Sequence, residues 1–143
     1  MKAIWAVLLV FAVTMGLLAG IVFGLGDKTI FVPPPEAVVE GFMRELATGR
    51  YERARAYLSR EVAARTGSEK LRDLREKLRG RTGDILDVRG EPGWHTELRA
   101  EAYVRLKTKQ AGEPSLRFTL SLEEGVWAIN GLGSLESVEL EAR

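Results

Sequence analysis

The 143-residue chain has no cysteine, a single histidine and only two side-chain amides, Gln110 and Asn130. Without a thiol it holds no disulfide and no thiolate-bound metal, and it lacks the cysteine that lipid attachment needs. The lone His95 cannot build a multi-histidine centre, which removes the common zinc-hydrolase pattern. No Gly-x-Ser-x-Gly elbow, phosphate loop or dinucleotide fingerprint occurs, and neither a metal nor a cofactor is expected. A formal net charge of +1, with no recurring basic and aromatic stripe, argues against nucleic acid as a partner.

Charge is absent altogether from Ala3 to Gly26, where Thr14 is the only polar side chain. About 24 residues at roughly 1.5 Å each give about 36 Å of helix, enough to cross a hydrocarbon core of about 30 Å. Residues 1–28 are therefore expected to form a single-pass transmembrane anchor. The rival reading is a cleaved signal peptide, whose apolar core is usually about 7 to 15 residues and so shorter than this run. Leu17-Leu18-Ala19-Gly20 is similar to the start of a lipoprotein box, but Ile21 stands where the lipid-bearing cysteine would be. Lys2 precedes the run, while Asp27 offsets Lys28 after it, which favours a cytoplasmic N-terminus and an extracytoplasmic domain at the cell membrane.

Residues 29–35, ending in Pro33-Pro34-Pro35, are expected to be a stiff extended linker, and residues 36–143 one domain with one core. Its first part has helical spacing: Val39, Phe42, Met43 and Leu46 up to Gly49, then Ala54 and Leu58 on a helix from Tyr51, then Leu71, Leu74 and Leu78. Thr66 with Glu69 is placed as a capping box, and Arg72 with Glu76 and Asp73 with Lys77 as exposed i,i+4 pairs. The second part alternates. Leu98, Ala100, Ala102, Val104 and Leu106, then Leu116, Phe118, Leu120 and Leu122, point to one buried face, joined by Trp127 and Ile129. Ile85 to Arg89 makes a weaker first strand, followed by a turn at Gly90-Glu91-Pro92-Gly93, and Leu135 to Leu140 a candidate last strand. Extending the parity of Leu98 backward puts Trp94 and Thr96 inward and His95 and Glu97 outward. The product is an α+β domain, three helices on a four-stranded antiparallel sheet.

Pro35-Glu36-Ala37-Val38-Val39 with Phe42, then Gly49-Arg50-Tyr51-Glu52-Arg53-Ala54, Tyr57-Leu58-Ser59 and Gly125-Val126-Trp127-Ala128-Ile129-Asn130-Gly131 together resemble the NTF2-like superfamily. The likeness is to its DUF4878-like exported or anchored bacterial members. The resemblance implies a cone in which helices close over a curved sheet, sometimes leaving a cavity at the open end. Tyr51, Tyr57, Ala100, Ala102, Phe118 and Trp127 are the candidate cavity-lining, ligand-binding residues. No inward sheet position exchanges a proton, so no catalytic residue is assigned. His95 is either an exposed loop histidine or a base paired with Asp84 or Asp87.

Three functions compete on this reading. The first is a non-catalytic, membrane-tethered domain that binds a protein, peptide or apolar small molecule in the bacterial cell envelope. The second is an isomerase or hydro-lyase using Tyr51, Tyr57 and a carboxylate in the cavity, by analogy of fold. The third is a scaffold subunit of an envelope or secretion assembly. The outward sheet face, with Arg99, Glu101, Arg105, Lys107 and Arg117 around Tyr103, is too polar for a large obligate interface, so a monomer or weak homodimer is expected.

Overall fold

The computed structural model describes residues 32–110, 112–133 and 135. The expected anchor at 1–28 lies outside the described residues, as does nearly all of the candidate strand at Leu135 to Leu140, of which Leu135 alone is described and is buried. Among the described residues no helix is long and apolar enough to cross a membrane.

Helix α1 (Pro35–Ala47) starts where extended Pro34 hands over to Pro35, whose missing N–H costs nothing in a first helical turn. It buries Val38, Val39, Phe42, Met43 and Leu46 on one stripe and stops at Gly49, which takes a φ of 76° that disfavours any residue with a Cβ. The single helix expected from Tyr51 is two: α2 (Tyr51–Arg55) and α3 (Arg60–Arg65). Ser59 divides them by capping α3, its hydroxyl accepting from the Val62 N–H at 3.3 Å. Leu58 leaves the helical stripe to bridge Ile129 in the sheet. Arg55 ties the pieces together, donating to the carbonyls of Ala63 and Thr66 at 3.0 Å each. Helix α4 (Ser68–Thr82) begins after Gly67 with no side-chain cap. The Thr66 capping box does not form, because Thr66 is fully buried with its hydroxyl unpaired. The described fold thus carries four helices rather than three.

Strands β1 (Ile85–His95), β2 (Arg99–Thr108), β3 (Ser115–Glu123) and β4 (Val126–Gly131) form an antiparallel meander in that order. Glu124 and Gly125, both at positive φ, make the tight two-residue turn between β3 and β4. The expected turn at Gly90-Glu91-Pro92-Gly93 is instead part of β1, where Pro92 is tolerated because β1 is an edge strand. Pro92 lies opposite Ala102 and His95 opposite Ala100, so β1 spends three residues where β2 spends two. This bulge reverses the parity beyond it. His95 shares the face of buried Ala100 instead of pointing outward, while Trp94 and Leu98, both expected inside, are 55% and 66% exposed. Thr96 is exposed as well.

Inside the sheet the alternation holds. Ala100, Ala102, Val104, Leu106, Leu116, Phe118, Leu120 and Ile129 are buried with α1's Val39, Phe42, Met43 and Leu46. Leu122 and Trp127 are half-buried at the end of the sheet. Phe42 meets Phe118 edge to face with centroids 5.8 Å apart, a favoured aromatic geometry. On the β1 side, α1 comes so close that a Cβ at Gly90 would sit 2.1 Å from the carbonyl oxygen of Glu36. The Gly90 N–H donates to Glu40 Oε2 of α1 at 2.9 Å.

Candidate functional site

The six candidate lining residues do not share one wall. Ala100, Ala102 and Phe118 are at most 2% exposed, with Phe42 packed on Phe118. The small side chains of Ala100 and Ala102 belong to this close-packed interior. Tyr57 is half-buried with its ring over Gly41, where a Cβ would lie 2.8 Å from the phenolic oxygen. Trp127 and Tyr51 lie on two separate surface clefts. The buried polar residues among those described are Ser59, Thr66, Thr82 and Thr108, none of which titrates near neutral pH. No group of three or more metal-ligating side chains occurs among the described residues.

The first cleft follows from how β4 is edged. The Ile129 N–H donates to the Tyr57 carbonyl at 2.9 Å, and the Ser59 N–H donates to the Ile129 carbonyl at 2.8 Å. Residues 57–59 therefore add a short parallel strip to the outer edge of β4. Backbone groups of alternate residues face the same edge, so Trp127, two positions before Ile129, turns its N–H and C=O the same way. The covering strip ends before reaching it. The chain has coiled into α2, and the Tyr57 N–H is taken by the Ala54 carbonyl at 3.1 Å. What remains is an open groove of about 480 Å³ with Ala56, Leu58, Val126, Trp127 and Ala128 along it. Its polar end is built by Arg60, which forms an ion pair with Glu124 and donates its backbone N–H to Glu123 Oε2 at 3.3 Å.

The bulge brings His95 to the rim of this groove, its ring edge-on to Trp127 with centroids 6.3 Å apart. His95 is not paired with either aspartate: Asp84 pairs with Arg79 at 2.9 Å, and Asp87 lies across from Lys107 toward the far end of β1. Exposed Trp94, Leu98 and Val126 stand at the same end of the sheet, on its two hairpins. Sequence alternation identified Trp127 but not His95 as its neighbour. The signal was the Pro92-Gly93 pair inside a strand, a common mark of a bulge.

The second cleft, of about 300 Å³, lies at the α1–α2 turn and is lined by Gly49, Arg50, Tyr51, Glu52, Arg53 and Ser68. Tyr51 forms a wall shared with α4: Arg75 Nη1 donates to its phenolic oxygen at 3.1 Å, and the Arg72 guanidinium lies 5.8 Å from its ring centroid. The Ser68 hydroxyl donates to Glu52, and that bond, aided by Arg55, holds the Glu52 carboxyl below the usual glutamate range. Neither Arg72 nor Arg75 was marked by the sequence as anything but a solvated helix face.

No family model and no curated protein matches the chain. Among solved structures it is similar to a Campylobacter jejuni protein with the provisional description NTF2-like transpeptidase, at 18% identity over 69% of this chain and 99% of that one, with a TM-score of 0.55. A SEC-C motif-containing protein from Rhodopseudomonas palustris is also similar, at 17% identity over 68% of this chain and 75% of that one, with a TM-score of 0.49. Helices laid on a four-stranded antiparallel meander, matched to the first of these over almost its entire length, give this chain an NTF2-like fold.

Proposed function

We propose that the chain is a membrane-anchored, extracytoplasmic domain that binds a partner in the bacterial cell envelope without transforming it, taking an extended peptide segment along the open part of the β4 edge. The observation that carries this reading is the uncovered backbone of Trp127 beside an apolar groove, in a domain whose inner sheet face is filled by leucine, alanine and phenylalanine. An extended peptide satisfies the free N–H and C=O of Trp127 by continuing the sheet, and its side chains meet Leu58, Val126 and the indole. The uncharged run from Ala3 to Gly26 supports the anchoring.

The test uses the isotope-labelled full chain in neutral detergent, titrated with a panel of unstructured peptides. Binding should perturb the amide resonances of Val126 to Ile129 and Tyr57 to Arg60 above all others. A panel whose binders perturb only the outward sheet face sinks the edge-pairing reading. Protease accessibility in spheroplasts tests the orientation, and protection of the domain from external protease contradicts it.

A further inference from the structure

The cleft at the α1–α2 turn holds more positive charge than its own contacts neutralise. Four arginines bear on it. Arg50 is paired with Glu45 at 2.6 Å. Among the described residues no carboxylate lies within ion-pair distance of Arg53, Arg72 or Arg75. Arg53 lines the cleft, Arg72 covers the Tyr51 ring, and Arg75 Nη1 lies 3.1 Å from the Tyr51 oxygen and 3.5 Å from the Cβ position of Gly49, both cleft residues. The one carboxylate on the cleft wall, Glu52, is already engaged by Ser68 and Arg55.

We propose that this cleft binds a phosphoryl group, either as inorganic phosphate or as the phosphate of a small monoester. The donors approach from two helices, Arg53 on α2 and Arg72 and Arg75 on α4, which suits a tetrahedral anion with several acceptor oxygens better than a planar carboxylate that a single guanidinium fork saturates. Tyr51 adds a neutral donor: its oxygen accepts from Arg75, which leaves the phenolic proton free to point at an anion. The positive φ of Gly49 keeps the turn clear of a side chain that would fill the cleft, since a Cβ there meets only the tips of Arg75 and Tyr51. A volume of about 300 Å³ admits a phosphate with a small substituent and excludes a folded partner.

The experiment titrates the full chain in neutral detergent with inorganic phosphate and, separately, with glycerol phosphate, at constant ionic strength held with sodium chloride, and follows amide and arginine Nε resonances. Saturable shifts at Gly49 to Arg53 and at Ser68, Arg72 and Arg75 are expected. A tighter constant for the ester than for free phosphate identifies a carried phosphate, and equal constants identify the free ion. Arg72→Ala and Arg75→Ala should each weaken binding about tenfold or more, the scale of one lost charge-assisted hydrogen bond. Arg79→Ala, on the same helix but paired with Asp84, should leave the constant unchanged. Non-saturable shifts equal to those produced by chloride overturn the proposal, as does an unaltered constant in the folded Arg72→Ala, Arg75→Ala double variant. Perturbation of the cleft by a glutamate-rich peptide but not by phosphate overturns it too.

Discussion

Replacing Gly90 by alanine tests the seam that closes the cone on the β1 side. The added carbon would lie 2.1 Å from the Glu36 carbonyl oxygen and 3.1 Å from the Glu40 Cβ, whereas an unstrained carbon–oxygen contact is about 3.3 Å or more. The colliding atom is helix backbone, so α1 has to retreat from β1 by roughly 1 Å, and Val39, Phe42 and Met43 move with it. Overpacking of this kind costs about 1–3 kcal/mol. The bond from the Gly90 N–H to Glu40 at 2.9 Å is stretched as the helix withdraws, and a hydrogen bond to a charged group contributes about 1.5–3 kcal/mol. Alanine recovers about 0.4–1 kcal/mol by restricting the unfolded chain. The net is a loss of about 3 kcal/mol, a large share of the roughly 5–15 kcal/mol typical of a domain. Urea unfolding followed by tryptophan fluorescence should show a midpoint lowered by about 1.5 M with an unchanged slope, for a slope of about 2 kcal/mol per M. Gly80→Ala is the control: it lies inside α4 with nothing within 4 Å of its Cβ position, and should gain about 0.5–1 kcal/mol from helix propensity. A Gly90→Ala midpoint equal to the wild-type value, or a Gly80→Ala midpoint lowered as far, refutes the reasoning.

Phe42→Ala should cost about 3–5 kcal/mol, because the ring is fully buried against Phe118 and its removal leaves a void that the small Ala102 cannot fill. A thermal melt should fall by more than about 10 °C and recover in part with benzene; a small shift would mean that the interior already holds a cavity. Ser68→Ala should raise the Glu52 carboxyl toward the ordinary glutamate value, as read by a carboxyl carbon NMR titration. Since Glu52 is depressed in the folded state, its stabilisation is present above the unfolded value of about 4.3 and is lost as pH falls through the folded value. Wild type and variant should therefore differ at neutral pH and converge in acid, and the opposite trend would contradict the assigned hydrogen bond.

The strands were legible wherever an unbroken ladder carried the period-two pattern. Ala100 through Leu106 and Leu116 through Leu120 land on the buried face as their alternation predicts. Parity fails at the one place where the ladder gains a residue, between Pro92 and His95, because a single insertion exchanges the faces of everything beyond it. Trp94 and Leu98 were assigned inside by carrying parity through that insertion and through the loop before β2. The helix from Tyr51 failed for a different reason. Ala54 and Leu58 have the right spacing for one stripe, but the tertiary contact with Ile129 takes Leu58 out of the helix and lets Ser59 start another. The arginines around Tyr51 were unreadable because the sequence does not say which neighbour an exposed helix face meets.

The same segment, residues 49–60, shapes both clefts, and its geometry limits what the open edge can accept. A sheet edge left bare over a long stretch invites a second sheet edge, and with it aggregation. Here the strip at Tyr57 to Ser59 seals Ile129, and the turn at Glu124-Gly125 closes β3 and β4 just before Val126, so the bare backbone amounts to little more than Trp127. A second copy offering the same edge would bring its own Glu123 and Glu124 against these, where Arg60 provides a single counter-charge. Two long edges cannot pair across so short a gap, but one extended peptide can, gaining the two backbone bonds of Trp127 and the apolar contacts of Leu58, Val126 and the indole. Had α2 continued through Ser59, neither the seal at Ile129 nor the gap at Trp127 would exist. The serine that breaks the helix thus sets both the length of the opening and the length of chain that can occupy it.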